Sequence, residues 1–201
     1  MFKVVEPAGR QSVEETRQRI LAATREVFAQ KGSRGTTTRE VAERAEVNEA
    51  TLFRHFGTKQ QLLQTMLDHF CSNSEDDVSF IARLQGPIEE QLRQICRMGI
   101  TRITERRDLI CVSLAEESLN PESSLQAWDG PKLAQRKLAD YMRTRVEAGD
   151  LSGDADGLAR ILMSFMFAYV VSRRIWPSQL NEPDEAIELF VQTFLNGAKG
   201  R

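Results

Sequence analysis

The densest run of residues able to make specific polar contacts lies between Thr37 and Lys59, where hydroxyl, amide, acidic and basic side chains fall on what read as short helices. Asn48, Glu49, Ala50 and Thr51 stand at the exposed start of one of them, the position from which helical side chains meet base edges in a DNA major groove. Thr51 can offer its hydroxyl to a phosphate or its methyl to thymine. Glu49 has two readings of equal weight, an acceptor for a cytosine amino group or a solvated carboxylate. Lys59 opens the following helix, so its charge and the helix's positive end together suit a phosphate, although a plain surface lysine is the alternative.

Catalytic chemistry finds little here. The chain has two histidines, His55 and His69, and no glycine-rich phosphate loop, metal-ligand motif or nucleophile elbow, so no enzyme and no cofactor or metal are expected. Glu116-Glu117 reads as solvated surface. The three cysteines, Cys71, Cys96 and Cys111, are odd in number and widely spaced, which suits buried reduced thiols better than disulfides or a zinc site.

The elements that position these residues are helices, because apolar residues recur at spacings of three and four and no segment alternates for long. The spacing predicts a first helix from Ser12, capped by Ser12–Glu15, burying Ile20, Ala23, Val27 and Phe28 and ending at Gly32. Thr37–Glu40 has capping-box spacing for a two-turn helix carrying Val41, Ala42 and Ala45. Asn48 caps a third helix that Gly57 closes, with Leu52 and Phe56 turned to the core, and Thr58 caps a fourth burying Leu62, Leu63, Met66, Leu67 and Phe70. This is a helix-turn-helix module. The polar run Ser72–Asp77 is a plausible boundary. Further helices follow Gly86-Pro87, span Leu109–Leu119 before Asn120-Pro121, run from Pro131 to Gly149, from Asp154 to Trp176, and from Asp184 to Asn196.

A length of 201 residues allows a small domain and a larger one, and 41% hydrophobic with 28% charged residues is ordinary for a globular protein. Residues 1–60 hold eleven Lys and Arg against eight Asp and Glu, while the remainder holds sixteen against twenty-one, a basic head on an acidic body. The start shows no secretory signal, and the longest apolar run, Ile161 to Val171, is well short of the roughly 20 residues a membrane span needs, so a cytoplasmic protein without membrane insertion is expected. The helix over 158–175 carries two apolar edges, one with Leu158, Ile161, Leu162, Phe165 and Tyr169, the other with Met163, Met166, Phe167, Val170 and Val171. One neighbour cannot cover both.

The stretch TTREVAERAEVNEATLFRHFGTKQQLL, residues 37–63, resembles the DNA-binding signature of the TetR family of transcriptional regulators. The resemblance implies an all-α chain of about nine helices: an N-terminal three-helix helix-turn-helix DNA-binding domain over 1–58, joined to a larger helical ligand-binding and dimerisation domain over 59–201. It implies a homodimeric repressor that holds a pseudo-palindromic operator in double-stranded DNA and is released by a small, lipophilic or aromatic effector. By resemblance, DNA contact falls to Thr37, Thr38, Arg39, Asn48, Glu49, Ala50, Thr51, Phe53, Arg54, His55 and Lys59, with Arg10 and Arg17 as further backbone candidates. Two positions depart from the pattern: Glu46 stands where the family usually has glycine in the turn, and Phe53 where tyrosine is common. The resemblance also implies an effector pocket, for which Cys96, Cys111, Trp128, Tyr141, Met142, Phe165 and Tyr169 are candidates, each also readable as core. It implies a four-helix dimer interface, with Met163, Phe167, Val170 and Val171 from the helix over 158–175 and Ile187, Phe190, Val191 and Phe194 from the last helix.

Overall fold

The computed structural model describes residues 8–71, 80–119, 128–173, 175–176 and 182–198. The described residues contain nine helices and no strand: α1 Ala8–Gly35, α2 Thr38–Arg44, α3 Glu49–Phe56, α4 Lys59–Cys71, α5 Ile88–Glu105, α6 Arg107–Leu119, α7 Asp129–Glu147, α8 Ala155–Ser172 and α9 Pro183–Ala198. A short helical turn stands at 80–82. The polar run 72–77 and the break at Asn120-Pro121 lie outside the described residues.

The chain divides into two compact units. One, the head, comprises residues 1–71 and 108–127; the other, the body, comprises 72–107 and 128–201. The head therefore extends beyond the three helices expected over 1–58, taking in α4 and nearly all of α6.

Within the head, α1 packs on α2 and α4, and α3 on both α2 and α4. Ile20, Leu21, Val27, Phe28, Val41, Leu52, Leu62 and Met66 are all but sealed from solvent. The expected start of α1 at Ser12 is wrong: the helix already runs from Ala8, and the Ser12 carbonyl accepts a bond from the Thr16 hydroxyl inside it. The capping-box spacing at Ser12–Glu15 is thus an internal i, i+3 coincidence. Gly32 does interrupt the helix, at φ 67°, and the chain turns helical again through Gly35. That restart is capped from afar, since Glu116 of α6 accepts from the Ser33 amide at 3.0 Å and from the Ser33 hydroxyl. Arg25 of α1 also forks Asp108 of α6, at 2.9 Å to one oxygen and 3.3 Å to the other. Phe70, expected inward, is half-buried beneath the Arg25 guanidinium.

In the body, α8 lies against α5 and α7, and α9 against α5. Leu92, Cys96, Met142, Ala159, Leu162 and Ile187 are fully or almost fully buried at its centre. α5 and α8 approach closely at Gly99, where a Cβ would collide with the Met166 sulfur. Arg93 and Arg97 clamp α5 to α9 through Glu188 at 2.6 Å and Asp184 at 2.8 Å. The Asp154 side chain accepts from the Gly157 amide at 2.8 Å and caps α8 as its sequence predicts. α8 stops at Ser172, short of the expected Trp176. By length and composition α8 is apolar enough to cross a membrane, but it carries Asp156 and Arg160 and buries Leu158, Leu162, Met166, Tyr169 and Val170 in the body's core.

Candidate nucleic-acid interface

The geometry of α2 to α4 follows from three consecutive caps. The Thr37 hydroxyl accepts from the Glu40 amide at 3.2 Å and Asn48 Oδ1 from the Thr51 amide at 2.7 Å. At the third, Thr58 Oγ1 accepts from the Gln61 amide at 3.1 Å while Gln61 Oε1 accepts from the Thr58 amide at 2.9 Å, a complete reciprocal box. Each cap satisfies backbone donors that a helix start leaves open. Gly57, at φ 75°, turns the chain sharply between α3 and α4.

Between α2 and α3 the backbone is left-handed at Glu46, φ 55°. The turn keeps the geometry that suits glycine and makes a residue with a Cβ adopt it, at about 1–2 kcal/mol. Arg19 lies 3.9 Å from the Glu46 carboxylate, with both side chains at least half-exposed, so the pair offsets little of that strain.

α3 divides cleanly into two faces. Leu52 and Phe56 are buried beneath it, whereas Asn48, Glu49, Ala50, Phe53 and Arg54 are exposed and Thr51 and His55 are half-buried. Phe53 leaves 43% of its surface open despite its aromatic ring, an exposure that packing does not require. Beside this helix lies an open groove of about 610 Å³, with Ser12, Thr16, Asn48, Thr51, Arg54 and His55 among its lining. Its walls offer hydroxyl, amide, imidazole and guanidinium donors that phosphate oxygens can accept from, beside the Glu46 carboxylate and the apolar Val13 and Val47. Ser12 and Thr16, on α1, were not among the expected contacts. Only the groove that forms when α1 lies alongside α3 brings them in.

Arg54 and Lys59 have no ion-pair partner among the described residues, which leaves both charges available. Arg39 pairs with Glu43 at 3.1 Å on an exposed surface. Arg17 stacks over the Phe56 ring at 4.8 Å instead of pointing outward as a free cation. The Thr38 hydroxyl donates to Glu49 Oε2 at 2.6 Å, joining the first residue of α2 to the first of α3. The Arg10 side chain lies outside the described residues.

The sequence profile described as bacterial regulatory proteins, tetR family, matches residues 20–66. The HTH-type transcriptional regulator YvkB of Bacillus subtilis is 32% identical over 159 residues, spanning 79% of this chain and 82% of that relative. This chain belongs to the TetR family of bacterial transcriptional regulators. The HTH-type transcriptional repressor Rv3405c of Mycobacterium tuberculosis is 46% identical over 63 residues, 31% of this chain and 32% of that protein. Among solved structures, the flavonoid-responsive regulator FrrA superposes with a TM-score of 0.68 at 22% identity, covering 96% of this chain and all of that one, and so shares the fold. As a TetR-family regulator the chain is a helix-turn-helix DNA-binding protein, and its relatives are named as regulators, not enzymes.

The residues expected to bind an effector fall in both units. Cys96, Tyr141, Met142 and Tyr169 are buried in the body's core cluster, and Phe165 packs against it half-buried. Trp128 stands half-buried at the start of α7, and Cys111 belongs to the head. Burial pushes the Cys96 thiol and the Tyr141 hydroxyl each up to about 12, so both are neutral near pH 7. The polar handle of this region lies in Gln91, which sequence reasoning missed: Tyr141 donates to its Oε1 at 2.8 Å, and its Nε2 donates to the Gly86 carbonyl at 2.7 Å. Nothing in the local pattern marks an amide buried on the apolar side of α5.

Several residues expected at a dimer interface are instead inside the protomer. Val170, Ile187, Val191 and Phe194 belong to the core of the body and have almost no surface to give a partner. Met163, Phe167 and Val171 are half-buried. Phe190 stacks on Phe165 with ring centroids 4.0 Å apart, and the exposed apolar residues of these two helices are others, Ile161 at 55% exposed and Leu189 at 60%. α8 buries residues of both edges, Leu158, Leu162 and Tyr169 of one with Met166 and Val170 of the other, and leaves Ile161 exposed.

Proposed function

We propose that this regulator is a repressor that binds a pseudo-palindromic operator as a homodimer, in the cytoplasm, and leaves it when a small molecule binds the body. The observation that carries this reading is α3 itself, an eight-residue helix whose apolar side is sealed while polar and aromatic side chains stand exposed beside unpaired Arg54 and Lys59. A major groove admits one such helix, with its N-terminal residues at base edges. Thr51, Arg54 and His55 line the adjacent groove with Ser12 and Thr16, and Lys59 at the start of α4 adds a phosphate contact. The name of Rv3405c, a repressor 46% identical over 63 residues, favours repression.

Dimerisation falls to α8 and α9, where Ile161 and Leu189 leave apolar area open. A two-fold copy would cover both and set two reading heads on half-sites about one helical turn apart. The effector, lipophilic or aromatic, enters the body beside Tyr141, Tyr169 and Phe165, with Gln91 as its polar partner. FrrA's description as flavonoid-responsive agrees with an aromatic class. To derepress, that compound must favour the DNA-incompetent arrangement of the heads, and operator must in turn weaken its binding by the same factor.

Selection from random double-stranded DNA tests the reading. A two-fold-related motif is expected, and Lys59→Ala should weaken all sequences alike while lowering the salt slope by about one. Recovery of no two-fold motif at moderate salt would overturn it.

A further inference from the structure

We propose that Glu49 reads an exocyclic amino group in the major groove, cytosine in preference to adenine, and that Thr38 is the positioning residue that holds it for that task. The inference rests on the operator binding proposed above and names the base chemistry that α3 selects. Its basis is the bond from the Thr38 hydroxyl to Glu49 Oε2, 2.6 Å long between residues eleven apart. Glu49 is exposed at the first turn of α3, and the side chain after it is only Ala50, so the carboxylate has open space on the groove-facing end of the helix.

A carboxylate only accepts hydrogen bonds. Every base pair presents one amino donor in the major groove, so a fixed carboxylate reads which strand carries it: at the base it addresses, cytosine or adenine offers the donor, while guanine or thymine offers acceptors that repel it. Glu49 therefore discriminates twice, by gaining a bond with one pair of bases and by facing unpaired acceptors with the other. The adenine amino group lies between two acceptors, its own N7 and the thymine O4, which a second carboxylate oxygen would meet on either side, whereas the cytosine amino group has the guanine O6 on one side only. The Thr38 bond already restrains the long Glu49 side chain, so less rotamer freedom is lost on binding. It also commits the single Thr38 proton, which is then not available to a phosphate.

The nearest cations in sequence, Arg44 and Arg54, do not pair with Glu49: Arg44 pairs with Glu40 at 3.3 Å and lies 3.6 Å from Glu26, and Arg39 pairs with Glu43 at 3.1 Å. No cation bonds Glu49 among the described residues, so an uncompensated negative charge faces the phosphates. Such a charge weakens binding to arbitrary DNA and is offset only where an amino group meets it.

The experiment is selection from random duplex DNA with the full chain and with Glu49→Gln, Thr38→Val and Thr38→Ser, followed by competition between duplexes differing at single positions. The native chain should show one position per half-site where cytosine is preferred over guanine or thymine by about ten-fold. Glu49→Gln should move that position to adenine, since an amide pairs with both N6 and N7. Thr38→Val should reduce the preference several-fold with the rest of the motif unchanged, and Thr38→Ser should retain it. Ratios between bases do not depend on how much protein is folded. An unchanged motif with Glu49→Gln would overturn Glu49 as the reader. Native discrimination with Thr38→Val, or a loss spread evenly over every position, would overturn Thr38 as the positioning residue. If the native chain selects no motif, the operator reading itself fails; a motif insensitive to Glu49→Gln leaves that reading standing and removes only this one.

Discussion

The head and the body of this regulator are built from the same kind of element and specified in different ways. In the head, helix starts are set by hydrogen bonds between residues three apart, at Thr37, Asn48 and Thr58, and the exposed side of α3 is kept polar. In the body, the defining contacts join residues distant in sequence: Tyr141 to Gln91, Arg93 to Glu188, Phe165 to Phe190. Short-range specification fixes the register of a reading helix against its own scaffold.

The contrast predicts a graded set of losses. Leu162→Ala, in the fully buried centre of the body, should lower stability by about 2–5 kcal/mol, because the cavity it opens adds to the lost burial. Chemical denaturation followed by helix content measures this, and a loss under about 1 kcal/mol would mean the body is loosely packed. Thr58→Ala removes the hydroxyl acceptor of the reciprocal box and should cost about 1 kcal/mol, seen as earlier unfolding of the head. An unchanged head would show that its caps matter less than its apolar contacts.

Glu46→Gly sharpens the comparison in the opposite direction. Relief of a left-handed residue, less the extra chain entropy of glycine, should stabilise the head by about 1 kcal/mol, read as a raised denaturation midpoint. A destabilised variant would mean the turn depends on the Glu46 side chain. The smallest effect concerns acid. The hydrogen bond from Arg93, then that from Gln192, holds the Glu188 carboxyl below its ordinary value of 4.5. A depressed folded value stabilises above the ordinary one and is lost as pH falls through the lower one, so the α5 to α9 clamp weakens below pH 4.5. Arg93→Met should flatten that part of the acid-unfolding curve, lowering stability slightly at neutral pH and leaving it unchanged in acid, a small effect as expected for a partly exposed pair.

What could be read from sequence follows the same division. Leu52 and Phe56 are legible as the inner face of α3, and Thr37, Asn48 and Thr58 as caps, because a helix start writes its requirements within four residues. The cap read at Ser12 fails for the same reason: a local pattern does not say whether the helix has already begun at Ala8. Glu116 capping Ser33, 83 residues away, has no local signature at all. In the body, apolar periodicity identifies helices but not which residues of the two edges of α8 face inward. Met166 and Val170 are buried while Ile161 is exposed, a choice made by Gly99 and the helices around it. The acidic partners of Arg93 and Arg97 on α9 are equally out of reach of any short window.

The central claim is that the exposed face of α3, with Lys59, recognises a particular DNA sequence. Its most direct measurement is the affinity of the purified chain for a selected duplex against a scrambled duplex of the same length and composition, at physiological salt. A ratio of about a thousand or more, with two chains per duplex, is predicted. Equal affinity for the two duplexes, falling together as salt rises, would mean that the head holds phosphates without reading bases and would contradict the account.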